Sequence, residues 1–392
     1  MPIKKKTVLF LTPSASSVGG NIFLLNFLRW FKANSDISFV TLYEYGGDLE
    51  SEFAKLGSAY CFDYSWEGLS PYRTNLQRID KMFGVRQKKM IREIVSHQIG
   101  LIYSNAVINH RTFAAVSHIP APVVAHCHEL ETLIQKHGIE NFETLKSRCS
   151  HFVAAAEAVR TNLVERHSIP AGSIDVIHEF IPVVERGDAE INSMRAAVRT
   201  ELNIPVDAFV VGASGTMYWR KGPDLFIQIA SRFKQKFPGR PFKFIWIGGA
   251  RAGDASLIEA RYDAEKLGLA DDVLFIEHLR DPVPYYAAID AFALTSREDP
   301  FPLVCLESAA LGKPIVCFAD AGGMPEFVRD DAGYAVPYLD VDAFAARLTE
   351  LARDPAMSAR LGAAARGRVK ADHDVTVLAP KMLAIIEKYL AA

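Results

Sequence analysis

At 392 residues the chain is long for one domain, and 49% hydrophobic against 23% charged residues allows large cores and excludes a disordered chain. A net charge of −2 excludes a general bias toward polyanions, so nucleic acid is not an expected partner. Five scattered cysteines (Cys61, Cys127, Cys149, Cys305 and Cys317) form no CxxC and no paired framework, which reads as buried free thiols in a reducing compartment.

The N-terminus "MPIKKKTVLFLTP" has a basic start, but its apolar run ends at Thr12 and Pro13. That run is too short for a signal peptide or a membrane span, and is expected to form a first buried strand over 7–11. The expected location is cytoplasmic, with a peripheral position at the inner membrane face left open. Short apolar runs then alternate with helical-period segments, which predicts a parallel α/β architecture. The first half offers "TVLFL", "SFVTLY", "LIYS", "PVVAH", "HFVAA" and "IDVIH". The second offers "FVVGASG", "FKFIWIGG", "VLFIE", "AFALTS", "PIVCF" and "AGYAV".

After the first strand, "TPSASSVGGNIFLLNFLRWF" leads through Gly19-Gly20 into an amphipathic helix. Such a start lets backbone amides approach an anionic ligand, although a plain tight turn explains it equally. It is not GxGxxG, and Glu44 is placed beyond the apolar run of the second strand, which disfavours a nicotinamide dehydrogenase. From 73 to 92, "RTNLQRIDKMFGVRQKKMIR" holds seven basic residues and one acidic, Asp80. A solvated helix face is one reading. A basic amphipathic helix meeting a membrane surface or an anionic acceptor is the other, with Ile79, Met82, Phe83, Met90 and Ile91 as its apolar side.

"HCHELE" follows the strand "PVVA", and His126 and His128 are expected on opposite faces, one packed and one facing a cleft. Their spacing does not favour a metal site, and a purely structural pair stays open. "EFIPVVERGDAEINSMRAAVRTEL" shows no strand and rising charge, so the domain boundary is placed near 182–195. The expected domains are 1–185, 186–370, and a terminal helix over 371–392 that packs back toward the first.

In "SGTMYWRKGPDLFIQIA", Arg220 and Lys221 stand before Gly222-Pro223, with Pro223 in the first turn of a helix. Two cations at a strand-to-helix junction suit a diphosphate, or else form a solvated basic turn. The stretch "SREDPFPLVCLESAALGKPIV" then carries Glu298, Asp299 and Glu307. Pro302 suits position N1 of a helix ending at Gly312, and the amides of Phe301, Leu303 and Val304 would make an anion-favouring start. Asp299 reads as an N-cap, a ligand grip or both. Glu307 is either on a polar stripe or aimed into a cleft. With seven residues between them, Asp299 and Glu307 would be roughly 10 Å apart, too wide for a shared metal or proton and suited to gripping hydroxyls at the two ends of one extended ligand. In "FADAGGMPEFV", Gly322-Gly323 allow a close backbone approach, and Glu326 opens a helix.

These motifs resemble family 4 of the retaining, nucleotide-sugar-dependent glycosyltransferases, over nearly the whole chain. The family's E-x7-E motif stands here as Asp299-x7-Glu307, with Asp in place of the first Glu. The resemblance implies the GT-B fold: two doubly wound Rossmann-like domains facing across a cleft, with a C-terminal helix crossing back. It implies that Glu307 binds the donor ribose. Asp299, with the backbone of Phe301, Pro302 and Leu303, would hold the transferred sugar and phosphates. Lys221 matches the lysine on the diphosphate, and the usual arginine five positions earlier is Thr216, with Arg220 available to compensate. Gly19-Gly20 matches the glycine loop, and His128 the histidine near the donor sugar. The implied catalytic set is His128, Lys221 and Asp299, with no cofactor, no metal and no protein nucleophile. The implied partners are a nucleoside-diphosphate hexose and a glycan or lipid-linked glycan, in cell-surface polysaccharide synthesis. A sugar-nucleotide epimerase or other GT-B activity, and a non-catalytic nucleotide- or glycan-binding domain, remain the alternatives.

Overall fold

The computed structural model describes residues 7–63, 84–249 and 253–391. They divide into two compact units: Met1–Glu179 with Val375–Ala392, and Phe180–Asp374.

The first unit is a seven-stranded parallel sheet of β1 (Thr7–Ser14), β2 (Phe39–Tyr45), β3 (Ser58–Asp63), β4 (Ile99–Ser104), β5 (Val123–Cys127), β6 (His151–Ala154) and β7 (Ile174–Val176), in the order β3-β2-β1-β4-β5-β6-β7. Val8 to Leu11 of β1 are fully buried, as a strand covered by helices on both faces requires. Phe10 meets Phe27, Phe31 and Phe39 edge-on at about 6 Å, and so fastens β1 and β2 to the helix Gly19–Asn34. The C-terminal helix Val375–Ala391 belongs to this unit and packs on that same helix through an apolar face that includes Leu378, Met382 and Ile386. β3 escapes the sequence reading because it is a sheet edge with only Cys61 buried, so "SAYCFD" shows no apolar run.

The second unit is a six-stranded parallel sheet of β8 (Phe209–Ser214), β9 (Phe242–Gly249), β10 (Val273–Glu277), β11 (Ala291–Leu294), β12 (Ile315–Phe318) and β13 (Gly333–Val336), ordered β10-β9-β8-β11-β12-β13. All six coincide with apolar runs of the sequence. The helix Asp188–Glu201 occupies the stretch in which no strand is visible. Its Arg195 and Arg199 each bind Asp290, at 2.6 and 2.7 Å, and the buried ammonium of Lys313 donates to the carbonyls of Ala287 and Ile289. These bonds tie the helix and the turn after β12's preceding helix to the start of β11.

In each sheet the strand order reverses beside the first strand, at β1/β4 and at β8/β11. The carboxyl ends of the strands at such a point are where open α/β sheets bind ligands.

Of the basic stretch 73–92, residues 73–83 lie outside the described residues, and 85–92 open the helix Val85–Ser96. Met90 is buried in the unit's core together with Ile94, so it does not serve the exposed apolar side expected of it; Arg86, Lys88, Lys89 and Arg92 are exposed. Cys61, Cys127, Cys305 and Cys317 are buried free thiols and Cys149 is half-buried. Among the described residues no helix is long and apolar enough to cross a membrane.

Candidate functional site

In the second unit, the cluster forms where the loop after β8 meets the loop after β11. The turn Trp219–Lys221 leads to Gly222, whose φ of +69° and contact with the Thr295 carbonyl, 2.2 Å from where a Cβ would stand, leave room for glycine alone. Pro223 then opens the helix Pro223–Lys236 at its first position, as expected. This geometry aims Arg220 and Lys221 at the β11 loop. Lys221 Nζ donates to Asp299 Oδ2 at 2.5 Å, Arg220 Nη1 to Asp299 Oδ1 at 3.3 Å and to the Glu298 carbonyl at 2.7 Å, and Ser296 Oγ to Asp299 Oδ2 at 2.9 Å. Asp299 is only 5% exposed. Burial opposes its ionisation, but Lys221 and then Arg220 outweigh burial and hold the carboxyl below the usual range.

The Asp299 loop is itself clamped. The Asp299 amide donates to the Ala321 carbonyl at 2.6 Å and the Gly323 amide to the Pro300 carbonyl at 2.8 Å. Gly322 has φ +142° and passes so close that a Cβ would stand 1.8 Å from the Asp299 carbonyl oxygen. The backbone approach expected of Gly322-Gly323 therefore serves the chain's own loop. Glu326 stands in the first turn of the helix Met324–Val328.

The helix after the loop is Leu303–Ala310, with Pro302 as its extended N-cap rather than N1, and Gly312 in a left-handed conformation just past its end. The amides of Leu303 and Val304 find no acceptor among the described residues, so the helix start keeps its donors and its positive end. Phe301 is buried and stacks on His373 at 5.2 Å, so its side chain is taken up by the unit's own core. Glu307 is half-buried and makes no hydrogen bond or ion pair among the described residues. Burial, with the charge of Asp281 adding, raises its carboxyl to about 7. Thr216 is exposed, with its carbonyl accepting from the Tyr218 amide.

In the first unit, the helix Gly19–Asn34 starts at Gly19. A Cβ at Gly19 would meet nothing, and one at Gly20 only the His128 ring at 4.0 Å, so these glycines open space above the helix start. Asn21 fastens the loop by donating to Ser14 Oγ and the Ser16 carbonyl, each at 2.9 Å. His128 lies just past β5. Its Nδ1 faces Glu179 Oε1 at 3.0 Å and its Nε2 faces Asn105 Oδ1 at 3.2 Å, while Asn105 Nδ2 donates to the Gly20 carbonyl at 2.9 Å. The expectation of opposite faces fails: the His126 and His128 rings lie 4.1 Å apart, tilted by 30°. Residues two apart on an extended chain share a face, which is the physical reason. Glu129 is buried, accepts from the amides of Val107 and His128, and is raised by burial to about 7. Glu44 lies within β2, buried against Arg111 at 3.1 Å.

Sequence reasoning missed Ser296, Asn105 and Glu179. Ser296 stands three positions before Asp299, a local spacing that could have marked it, whereas nothing local marks Glu179, 51 positions from His128, or Asn105, 23 positions from it.

The two doubly wound units make this the α/β architecture of the GT-B glycosyltransferases. Residues 194–368, which lie within the second unit, match the family model described as Glycosyl transferases group 1. The D-inositol 3-phosphate glycosyltransferase of Saccharomonospora viridis is 33% identical over 181 residues, 44% of this chain and 41% of its own. That of Mycobacterium avium is 32% identical over 220 residues, 55% of this chain and 48% of its own. The chain thus spans less than half the length of these curated relatives. Among solved structures, Anabaena HepE in complex with UDP and glucose matches with a TM-score of 0.79 at 21% identity, over 97% of this chain and 99% of that one. WaaG, a glycosyltransferase involved in lipopolysaccharide biosynthesis, matches with a TM-score of 0.72 at 14% identity, over 97% and 99%.

Proposed function

We propose that the chain is a retaining, metal-independent hexosyltransferase of family 4 that uses a nucleoside-diphosphate sugar. The observation that carries this reading is the juxtaposition of Lys221 and Arg220 on Asp299, beside a helix start whose amides, and a helix whose Glu307, have no hydrogen-bond partner among the described residues. In this reading the diphosphate lies on Lys221 and on the amides of Leu303 and Val304. These fixed charges and dipoles gain most as negative charge builds on the leaving group, so they lower the barrier of the transfer step. Asp299 holds the cations in place, and Glu307 accepts the two ribose hydroxyls. The backbone of Phe301, Pro302 and Leu303 follows the sugar and phosphates. In the first unit, the space that Gly19 and Gly20 open beside the ring of His128 is by itself a proposed place for a sugar.

The test is thermal unfolding with UDP, GDP and ADP, each with and without EDTA. Binding to the folded chain at 100 times Kd stabilises it by about 2.7 kcal/mol, so a midpoint rise of several degrees is expected, undiminished by EDTA. UDP comes first because HepE was solved with it. No shift with any nucleotide overturns the donor site, and a shift that EDTA removes overturns metal independence. Product mass spectrometry separates transfer from epimerisation and from binding alone.

The proposed acceptor is a glycan or lipid-linked glycan of the cell surface, reached at a membrane face through the basic stretch 73–92. The exposed Arg86, Lys88, Lys89 and Arg92, and the lipopolysaccharide role of WaaG, support it. Changing Lys88 and Lys89 to Glu is expected to abolish salt-sensitive sedimentation with anionic liposomes. Equal sedimentation of the variant and the wild type rules the contact out.

A further inference from the structure

The turn Trp219–Lys221 sends its side chains two ways. Arg220 and Lys221 turn in to Asp299, while Tyr218 and Trp219 stay out, 65% and 55% exposed. Two adjacent large rings left in water forgo the burial that such side chains usually supply.

Trp219 is also held in place. The guanidinium of Arg297 lies over its ring, 5.2 Å from the centroid, and Arg297 Nη1 donates to the Trp219 carbonyl at 2.8 Å. Arg297 is fixed in turn by a two-pronged pair with Asp224 at 2.9 and 2.6 Å, and its amide donates to the Arg220 carbonyl at 2.7 Å. The hydroxyl of Tyr338, a further exposed ring, donates to the Arg297 carbonyl at 3.1 Å. Arg297 therefore fastens, in one turn, an outward indole and the backbone of the inward-turned Arg220. An aromatic surface ordered before any ligand arrives is what a binding site presents, since the ligand then bears less ordering cost.

We infer that Trp219, with Tyr218, is a stacking platform for a pyranose ring of the acceptor saccharide. The C–H face of a pyranose packs on an indole while its hydroxyls stay at the wet edge. The inference rests on the proposed donor site for its orientation. The nucleoside end is assigned to Glu307, and the rings stand at the Lys221–Asp299 end, where the sugar is transferred. A nucleobase would stack equally well, but it belongs at the opposite end of the donor.

The experiment is an isothermal calorimetric titration of the full chain with methyl α-D-glucopyranoside, mannopyranoside and galactopyranoside, and separately with uridine and UDP. It is run on the wild type, Trp219→Ala and Trp219→Phe. At least one glycoside is expected to bind the wild type, about tenfold more weakly to Trp219→Ala, and within about threefold of wild type to Trp219→Phe, which keeps a ring. UDP affinity is expected within twofold in all three. Absence of any glycoside response in the wild type overturns the platform, as does equal glycoside binding by Trp219→Ala. Loss of uridine binding in Trp219→Ala assigns the ring to the base and overturns it as well. Failure of UDP to bind the wild type strikes the donor reading alone, because the glycoside titration needs no nucleotide.

Discussion

Lys221→Ala lowers kcat/KM by on the order of 10²–10³, the usual effect of removing one fixed charge that meets the developing negative charge of a transition state. Most of the loss falls on kcat, because the diphosphate carries more charge as it leaves than it does when bound. The variant also loses stability, since Asp299 is buried and, among the described residues, keeps only Arg220 and Ser296 as side-chain partners. Two measurements separate these effects: the thermal midpoint reports the buried carboxylate, and turnover at a temperature well below that midpoint reports the chemistry. Turnover within threefold of the wild type, in a variant that remains folded, removes Lys221 from the diphosphate site. Asp299→Asn tests the complementary role. It keeps the shape and lessens the grip on the two cations, so nucleoside-diphosphate affinity falls while nucleoside affinity holds.

Glu307→Ala weakens nucleoside-diphosphate binding by roughly 100-fold, as expected for two hydrogen bonds from ribose hydroxyls to a charged acceptor. Its fold is retained, because no bond of Glu307 within the described chain is broken. The pH dependence supplies a sharper test. The folded carboxyl keeps its proton up to about 7, against an ordinary value of 4.5. Its contribution to stability is therefore largest at low pH, falls as pH rises from 4.5 to about 7, and is flat above that. Ligand binding runs the other way. Hydroxyls donating to the carboxylate favour the charged form, so affinity grows as pH rises toward 7. Glu307→Gln removes both slopes, and the difference between wild type and Glu307→Gln cancels the titration of the ligand's own phosphate. Parallel affinity profiles for the two proteins rule out the ribose contact.

Of the candidate site, the parts that lie in one stretch were legible. Asp299 and Glu307 fall on the loop after β11 and the helix following it because a buried apolar run, a proline-bounded loop and an apolar helix are local signals. Lys221 at a strand-to-helix turn was legible for the same reason. The detail of Pro302 was not, because whether a proline caps a helix or begins it depends on where the preceding loop is tied, and Asp299 is tied to Ala321. The two histidines show how a face assignment depends on counting the strand period correctly.

The sequence by itself determined the parallel α/β class, twelve of the thirteen strands and the residue types at the strand ends, since burial on both faces demands continuous apolar runs. Only the tertiary structure decided what each of those residues meets. Asp299 finds Lys221 across 78 positions, Arg297 finds Asp224 across 73, and His128 finds Glu179 across 51. Those meetings are set by strand order and register, which place β8 beside β11 and run β5, β6 and β7 in succession. No spacing within a single segment encodes a neighbour that the sheet brings from elsewhere in the chain.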